Sequence, residues 1–187
     1  MHHDALLVPF GILEVSRGTT EIHQLHLLFG RSRETADFIV DGLELWWTSR
    51  RTDHVGVKII MIELDNGPEI NSSRTQFIKR LTEFAHRTGL RIELVYGAPY
   101  HSKYNPIERC WGILENHWNG TLLDTIETAL KWAGTMTWRG VRPLIHEITQ
   151  TYERGIKVAR PAMQKLAPVI QRDPTLPKWS LVISPTG

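Results

Sequence analysis

The sequence is poor in cysteine and has no long apolar run. Cys110 is the single cysteine among 187 residues, so no disulfide can form within the chain. No uninterrupted apolar run reaches the ~20 residues that a membrane-spanning helix needs. The first residues, Met1-His2-His3-Asp4, lack the character of a secretory signal. These absences argue against a disulfide-stabilised secreted protein and a membrane protein, and they predict a cytoplasmic location.

The sequence also has little net charge and no internal repeat or low-complexity segment. A formal net charge of +2 and a pI near 8.8 do not by themselves indicate a nucleic-acid partner. The absence of repeats argues against a solenoid or propeller. With 41% hydrophobic and 22% charged residues, the composition is that of an ordinary globular domain, and the length suffices for a real core.

Hydrophobic periodicity predicts a hairpin followed by alternating strands and helices. The predicted strands are residues 8–15, 22–28, 58–64 and 91–95, and the predicted helices run from a cap at Ser32 to Trp47, from Ser72 or Ser73 to Gly89, and over 106–118. This order predicts an α/β fold in which helices flank a mixed sheet.

The second part of the chain carries weaker signals. A helix is predicted over 121–133, and the alternation of Trp179, Leu181 and Ile183 predicts a last strand. We therefore expect a catalytic-type α/β domain over 1–120 and a largely helical C-terminal extension, 121–187, packed on it.

Asp65 is the first candidate for chemistry. It follows residues 58–64, a nearly continuous apolar run that predicts a strand covered on both faces. Ligands bind at the carboxyl ends of such strands in open α/β sheets. The alternative is that Asp65-Asn66-Gly67 is only a turn, because these residue types favour turns.

Glu108 is the second candidate. Pro106 fits the first position of a helix that Asn105 can cap, and Glu108 then falls third. The alternative is a purely structural glutamate, as in the second half of a capping box. Gly112 lies one turn further along the same face, and a glycine inside a helix costs ~1 kcal/mol relative to alanine, which suggests a need for clearance.

Together the two acids suggest a metal site. Carboxylates at the ends of two elements that face one loop region can bind divalent cations. We expect the carboxylates of Asp65 and Glu108 to lie on the order of 4–8 Å apart, because paired ions sit ~4 Å from each other. Between the two acids, Ser102, Lys103 and Asn105 are candidate DNA contacts, with Lys103 and Ser102 suited to phosphate. The alternative is that Lys103 is simply a solvated loop lysine.

The motifs resemble those of DDE transposases. Leu64-Asp65-Asn66-Gly67 and Ser102-Lys103-Tyr104-Asn105-Pro106-Ile107-Glu108 are similar to the second and third acidic positions of that family, in the branch called Rhodopirellula-type transposases. The resemblance implies an RNase H-like, integrase-like fold and metal-dependent cleavage and transfer of DNA ends. It also implies two Mg²⁺ or Mn²⁺ ions held by Asp65 and Glu108, transposon and target DNA as partners, and a possible homo-oligomer.

The sequence departs from that pattern at its start. The family's first aspartate lies on a strand before the segment that Pro9-Phe10-Gly11 matches, and only seven residues precede Val8. We therefore expect an N-terminal truncation that removes the first strand and its acid. Asp4 and Glu14 are the residues to test as a substitute third ligand.

Two rival functions stay open. One is an inactive remnant that at most binds DNA or a partner, and the other is an RNase H-like nuclease without joining activity. Among other reactive side chains, Cys110 is interpreted as a packing residue rather than a nucleophile. His23 and His26 lack an evident partner set and are interpreted as residues of a partly exposed strand.

Overall fold

The computed structural model describes residues 7–16, 22–97, 106–120 and 123–186. The chain divides into two compact units, each built from two separate stretches of sequence. Unit 1 comprises residues 1–33 and 103–152, and unit 2 comprises residues 34–102 and 153–187. Within the described ranges, no helix combines the length and the apolar character required to cross a membrane.

Strands and helices alternate along most of the chain, as the periodicity predicts. In chain order they are β1 (Val8–Val15), β2 (Ile22–Gly30), α1 (Ala36–Arg50), β3 (Ile59–Leu64), α2 (Thr75–Thr88), β4 (Arg91–Tyr96), α3 (Pro106–Trp118), α4 (Ile126–Ala133), β5 (Leu144–Ile148), α5 (Arg160–Leu166), β6 (Ile170–Arg172) and β7 (Ser180–Ile183). The α/β class is therefore confirmed.

Unit 1 is built on a three-stranded sheet in the order β1-β2-β5. The predicted hairpin is present, since β1 pairs with β2 in antiparallel fashion, with Ile12 opposite His26. The third strand, β5, runs parallel to β2. One face of β2 supplies Leu25, Leu27 and Phe29 to a core that also contains side chains of α3 and α4.

Gly11 lets α3 approach β1 closely. A Cβ atom built on Gly11 would lie 2.7 Å from Cζ2 of Trp111 and 2.8 Å from Cδ1 of Ile107, both on α3. These distances are shorter than real Cβ contacts, so a larger residue must displace the helix or its side chains. The glycine therefore sets the position of the helix that carries Glu108.

We expect the Gly11→Ala substitution to lower the free energy of unfolding by about 1–3 kcal/mol, the usual cost of overpacking. Urea denaturation followed by tryptophan fluorescence measures the change. Gly112→Ala is the matched control, because a Cβ atom there meets nothing within 4 Å and alanine is the better helix former. Equal stability of the Gly11→Ala variant and the wild type would show that α3 does not depend on this close approach.

Unit 2 is built on a four-stranded sheet in the order β3-β4-β7-β6. β3 and β4 are parallel, and β7 is antiparallel to β4 and to β6. The predicted last strand is confirmed, with Leu181 and Ile183 buried. The sequence predicts one mixed sheet, whereas hydrogen bonds between the described strands form two sheets, each of which mixes parallel and antiparallel pairs.

The prediction that residues 58–64 are covered on both faces is wrong. β3 lies at the edge of its sheet, and none of its residues is fully buried. Ile59 and Met61 are 48% and 41% exposed. An apolar run corresponds to a buried strand only where helices or another layer pack on both faces, and periodicity carries no information about which elements do so.

Helix boundaries differ slightly from those predicted. α1 is capped by the side chain of Thr35, which accepts from the amide of Phe38, and not by Ser32. α2 starts after Arg74, without a side-chain cap from Ser72 or Ser73. Its predicted end is confirmed, because Gly89 adopts a left-handed conformation with φ of 70°.

Candidate metal and DNA site

Asp65 stands immediately after the last residue of β3, as the sequence predicts. The amide of Gly97 donates to the carbonyl of Leu64 across 2.9 Å, so the parallel strands β3 and β4 end side by side. The chain leaves β4 at this same edge of the sheet. The location corresponds to the carboxyl-end crevice where α/β sheets bind ligands.

The turn that carries Asp65 is held by hydrogen bonds. Its Oδ1 accepts from the amide of Gly67 at 3.3 Å, and the carbonyl of Gly67 accepts from the amide of Asn71 at 3.0 Å. The Tyr96 hydroxyl donates to the carbonyl of Ile70 across 2.7 Å. Burial raises the pKa of Tyr96, which keeps this hydroxyl protonated and able to donate. Asp65 itself is exposed, so its carboxylate is accessible to a ligand.

Glu108 is the third residue of α3, and it is exposed. Cys110 and Leu114, on the same helix, are buried in the core of unit 1. No described residue fills the space that a Cβ atom on Gly112 would enter. Glu108 is therefore an exposed residue on a helix that packs on the core of unit 1. The space beside Gly112, one turn further along the helix, is open.

The candidate residues are distributed over both units. Asp65 belongs to unit 2 and Glu108 to unit 1, and the expected short distance between their carboxylates stays a prediction. Ser102, Lys103 and Asn105 lie outside the described residues, as does Asp4. Among the residues that the structure describes, no group of three or more histidine, cysteine and acidic side chains is arranged to hold a metal ion.

Cys110 is fully buried, and its Sγ lies 3.6 Å from the carbonyl oxygen of Pro106. Burial raises the pKa of its thiol to about 11, so the thiolate form that attacks electrophiles is scarce at neutral pH. The interpretation of Cys110 as a packing residue agrees with these properties.

The interpretation of His26 as a residue of a partly exposed strand is wrong. His26 is 0% exposed, and its Nε2 lies 2.7 Å from Oε1 of the buried Glu14. Its Nδ1 lies 3.1 Å from Nε2 of His146. Glu14, His26 and His146 therefore form a polar chain across β1, β2 and β5, which we call the strand triad.

Hydrogen-bonding chemistry determines which ring nitrogens of the strand triad carry protons. A carboxylate only accepts hydrogen bonds, so Nε2 of His26 donates to Glu14. In neutral His26, Nδ1 is then an acceptor for the Nε2–H of His146. This arrangement satisfies both nitrogens of the fully buried ring. The carboxylate of Glu14 is thereby engaged inside unit 1, which argues against Glu14 as a substitute metal ligand.

The strand triad predicts a loss of stability in mild acid. Burial lowers the pKa of His146 from its ordinary value of 6.5, and Coulombic repulsion lowers it further when His26 is protonated. Below pH 6.5, His146 binds a proton more readily in the unfolded chain than in the folded chain. The stability contributed by neutral His146 is therefore present above pH 6.5, and it declines as pH falls towards the lower pKa of His146 in the folded state.

We expect the urea midpoint of unfolding to fall between pH 7 and pH 5.5. A His146→Gln variant retains a hydrogen-bond donor but lacks the titrating ring, and its midpoint should vary less over this range. His54→Gln, a change in unit 2, is the control and should keep the wild-type pH dependence. Identical pH profiles for His146→Gln and the wild type would contradict the assignment.

Comparison with known proteins defines the class. A DDE-type transposase domain family, described as Rhodopirellula transposase DDE domain, matches residues 1–185. The chain belongs to this family. No curated protein and no solved structure matches the sequence.

Proposed function

We propose that the chain supplies the catalytic part of a transposase that cleaves DNA and joins the cut end to a target. The observation that carries this proposal is the family match over residues 1–185, together with the two motif acids on accessible surfaces. Asp65 ends a strand of a parallel pair, and Glu108 begins a helix. Both carboxylates are exposed, and neither forms an ion pair with a described residue.

Asp65 and Glu108 are the proposed ligands of divalent metal. Their carboxylate oxygens are the hard donors that Mg²⁺ and Mn²⁺ prefer, and both carboxylates are exposed, so the donor set fits such ions. Bound divalent ions would supply Lewis-acid chemistry at these carboxylates, which would activate the attacking oxygen of water or a DNA 3′-hydroxyl and stabilise the leaving oxygen. The task of the protein is to hold both carboxylates rigidly, which the hydrogen-bonded turn after β3 and the packing of α3 on Gly11 accomplish for each acid separately.

The segment between β4 and α3 is the proposed DNA-contacting loop. Ser102, Lys103 and Asn105 offer a hydroxyl, a cation and an amide, which are the groups that proteins use to position phosphates. The loop leaves the sheet beside Leu64, directly before Asp65.

The remaining features of the RNase H-like fold belong to this proposal. They are a third acid on an additional first strand, two bound ions and oligomerisation on transposon ends. The expected helical extension over 121–187 is not among them, because this stretch supplies strands to both sheets. The alternative of an inactive remnant would be favoured by failure of every form of the chain to cleave DNA.

Cleavage and joining can be tested in one assay. The chain, alone and with any residues that its gene encodes upstream, is incubated with duplex DNA carrying the element's ends and with a supercoiled target plasmid. We expect nicking at the ends in Mg²⁺ or Mn²⁺ and none in EDTA, followed by linkage of the ends to the plasmid. Metal-dependent nicking without linkage would favour the nuclease alternative, and no nicking in any condition would contradict the proposed activity.

A further inference from the structure

Positive charge is concentrated in one segment near the C-terminus. Residues 154–172 contain five basic residues and no acidic residue. Since the whole chain has 22 basic and 20 acidic residues, the remainder has 17 and 20, and its formal net charge is −3. The weakly basic character of the protein therefore comes entirely from this segment.

Four of these cations have no structural task. Arg172 donates to the carbonyls of Ser72 and Pro177, which ties the end of β6 to a neighbouring loop. The others are exposed and make no ion pair or hydrogen bond with any described residue; they are Arg154, Lys157, Arg160 and Lys165, which we call the basic strip.

On α1 and α2 of the same unit, the arginine and lysine side chains are instead paired with acids. Arg80 binds Asp37 and Asp41, and Lys79 lies 2.8 Å from Glu83. The acids on α1 and α2 thus neutralise the cations of that surface. The basic strip, in contrast, keeps its full charge, which is the electrostatic pattern of a surface that binds a polyanion.

The backbone beneath the basic strip is fixed. The amide of Val158 donates to the hydroxyl of Thr75 at the start of α2, and the amide of Met163 donates to the carbonyl of Ala159, both across 3.1 Å. α5 packs on α2. The cations therefore project from an ordered support, so a ligand has to restrict only their side chains.

The composition of the segment distinguishes among polyanions. Residues 154–172 contain no aromatic side chain, so the segment offers neither the stacking platform of single-strand binders nor the aromatic anchors of membrane interfaces. α5 is only seven residues long, too short for an amphipathic membrane helix. Cations without aromatics suit the phosphates of an intact duplex.

We propose that Arg154, Lys157, Arg160 and Lys165 bind the phosphate backbone of duplex DNA without reading its sequence. This surface lies on a different part of the chain from Asp65, Glu108 and the loop between β4 and α3. The proposal rests on the proposed DNA-cleaving function for the identity of the ligand. The basic strip holds the duplex, whereas the acidic residues act on it.

Metal-free binding tests the basic strip apart from catalysis. Fluorescence anisotropy in EDTA measures the affinity of the full chain for a 20-base-pair duplex of arbitrary sequence, between about 50 and 200 mM salt. Replacing all four residues of the basic strip by glutamine is expected to weaken binding at least ~10-fold at 100 mM salt. It should also make the slope of log K against log salt shallower by about 2–4, since each phosphate contact contributes ~0.9.

A variant with the same charge loss is the matched control. Glutamine at Lys58, Arg87, Arg91 and Lys178 also removes four exposed cations from unit 2, and we expect the wild-type affinity within about 3-fold. The inference is overturned if the basic-strip variant binds like the wild type, if both quadruple variants lose affinity equally, or if the wild type does not bind duplex at 50 mM salt. It is likewise overturned if the basic strip is needed for binding to phosphatidylserine vesicles but not to DNA.

Failure of this inference and failure of the proposed function give different results. Asp65→Asn and Glu108→Gln should retain metal-free duplex binding whatever their effect on cleavage. If the chain nicks DNA in Mg²⁺ but its basic-strip variant binds duplex normally, the proposed function stands and only the inference about the basic strip is overturned.

Discussion

Asp65→Asn and Glu108→Gln should each reduce Mg²⁺-dependent DNA cleavage by about 100- to 10,000-fold in a form of the protein that cleaves DNA. Each substitution preserves side-chain size and removes the charge that holds the metal. Metal stabilisation of the transition state contributes several kcal/mol, and ~1.4 kcal/mol corresponds to a factor of ten in rate. The measurement is the initial rate of nicking on end-containing duplex.

Both changes should leave the fold intact, so a loss of activity will report on chemistry. Asparagine at 65 retains the oxygen that accepts from the amide of Gly67, and Glu108 is exposed. Glu63→Gln and Glu115→Gln serve as controls, because both residues are neighbouring exposed acids. Glu63 lies two residues before Asp65 on β3, and Glu115 lies two turns after Glu108 on α3. Near-normal cleavage by either the Asp65 or the Glu108 variant would remove that residue from the metal site.

Glu14→Ala is expected to lower the free energy of unfolding by about 1–3 kcal/mol, the usual cost of leaving a buried hydrogen-bond donor without its acceptor. The loss leaves Nε2 of the fully buried His26 without an acceptor. Glu14→Gln keeps an oxygen at this position and should cost only about 1 kcal/mol. Urea denaturation gives the free energies, and hydrogen exchange should locate the loosened region in β1, β2 and β5.

An exposed acid of the same unit controls for the loss of charge. Glu115→Ala should change the stability by less than about 0.5 kcal/mol, because it lies on the solvent face of α3. If Glu14→Ala proves as stable as the wild type, the strand triad has no structural role. Glu14 would then again be available as a metal ligand.

Local signals predicted the elements that local chemistry determines. α3 begins at Pro106 and ends at Trp118 as predicted, because proline fits the first helical position. Gly89 ends α2, since glycine adopts the left-handed conformation that terminates a helix. The position of Asp65 after β3 followed from the contrast between an apolar run and a turn sequence.

Features that depend on distant residues were not predictable. His26 was misjudged because its partner His146 is 120 residues away, on a strand that no periodicity indicated. The diagonal position of Glu14 relative to His26 could have been found from the hairpin register, in which Glu14 lies opposite Gln24. For the candidate site, the sequence placed each acid at the end of its own element, and both this placement and the motif resemblance predict that the two acids lie close together.

The interleaving of the two units has a consequence for synthesis on the ribosome. β2 is complete early, but β5, its parallel partner, emerges only after the intervening α1 to α4 region has been made. At ~5–20 residues per second, the 120 residues that separate His26 from His146 take about 6 to 24 s to translate. During that interval the nascent hairpin has no β5 to pair with, and unit 2 is itself incomplete until β6 and β7 appear. Neither unit can finish folding before the other has been largely translated, so the chain has an extended window in which chaperones can bind it.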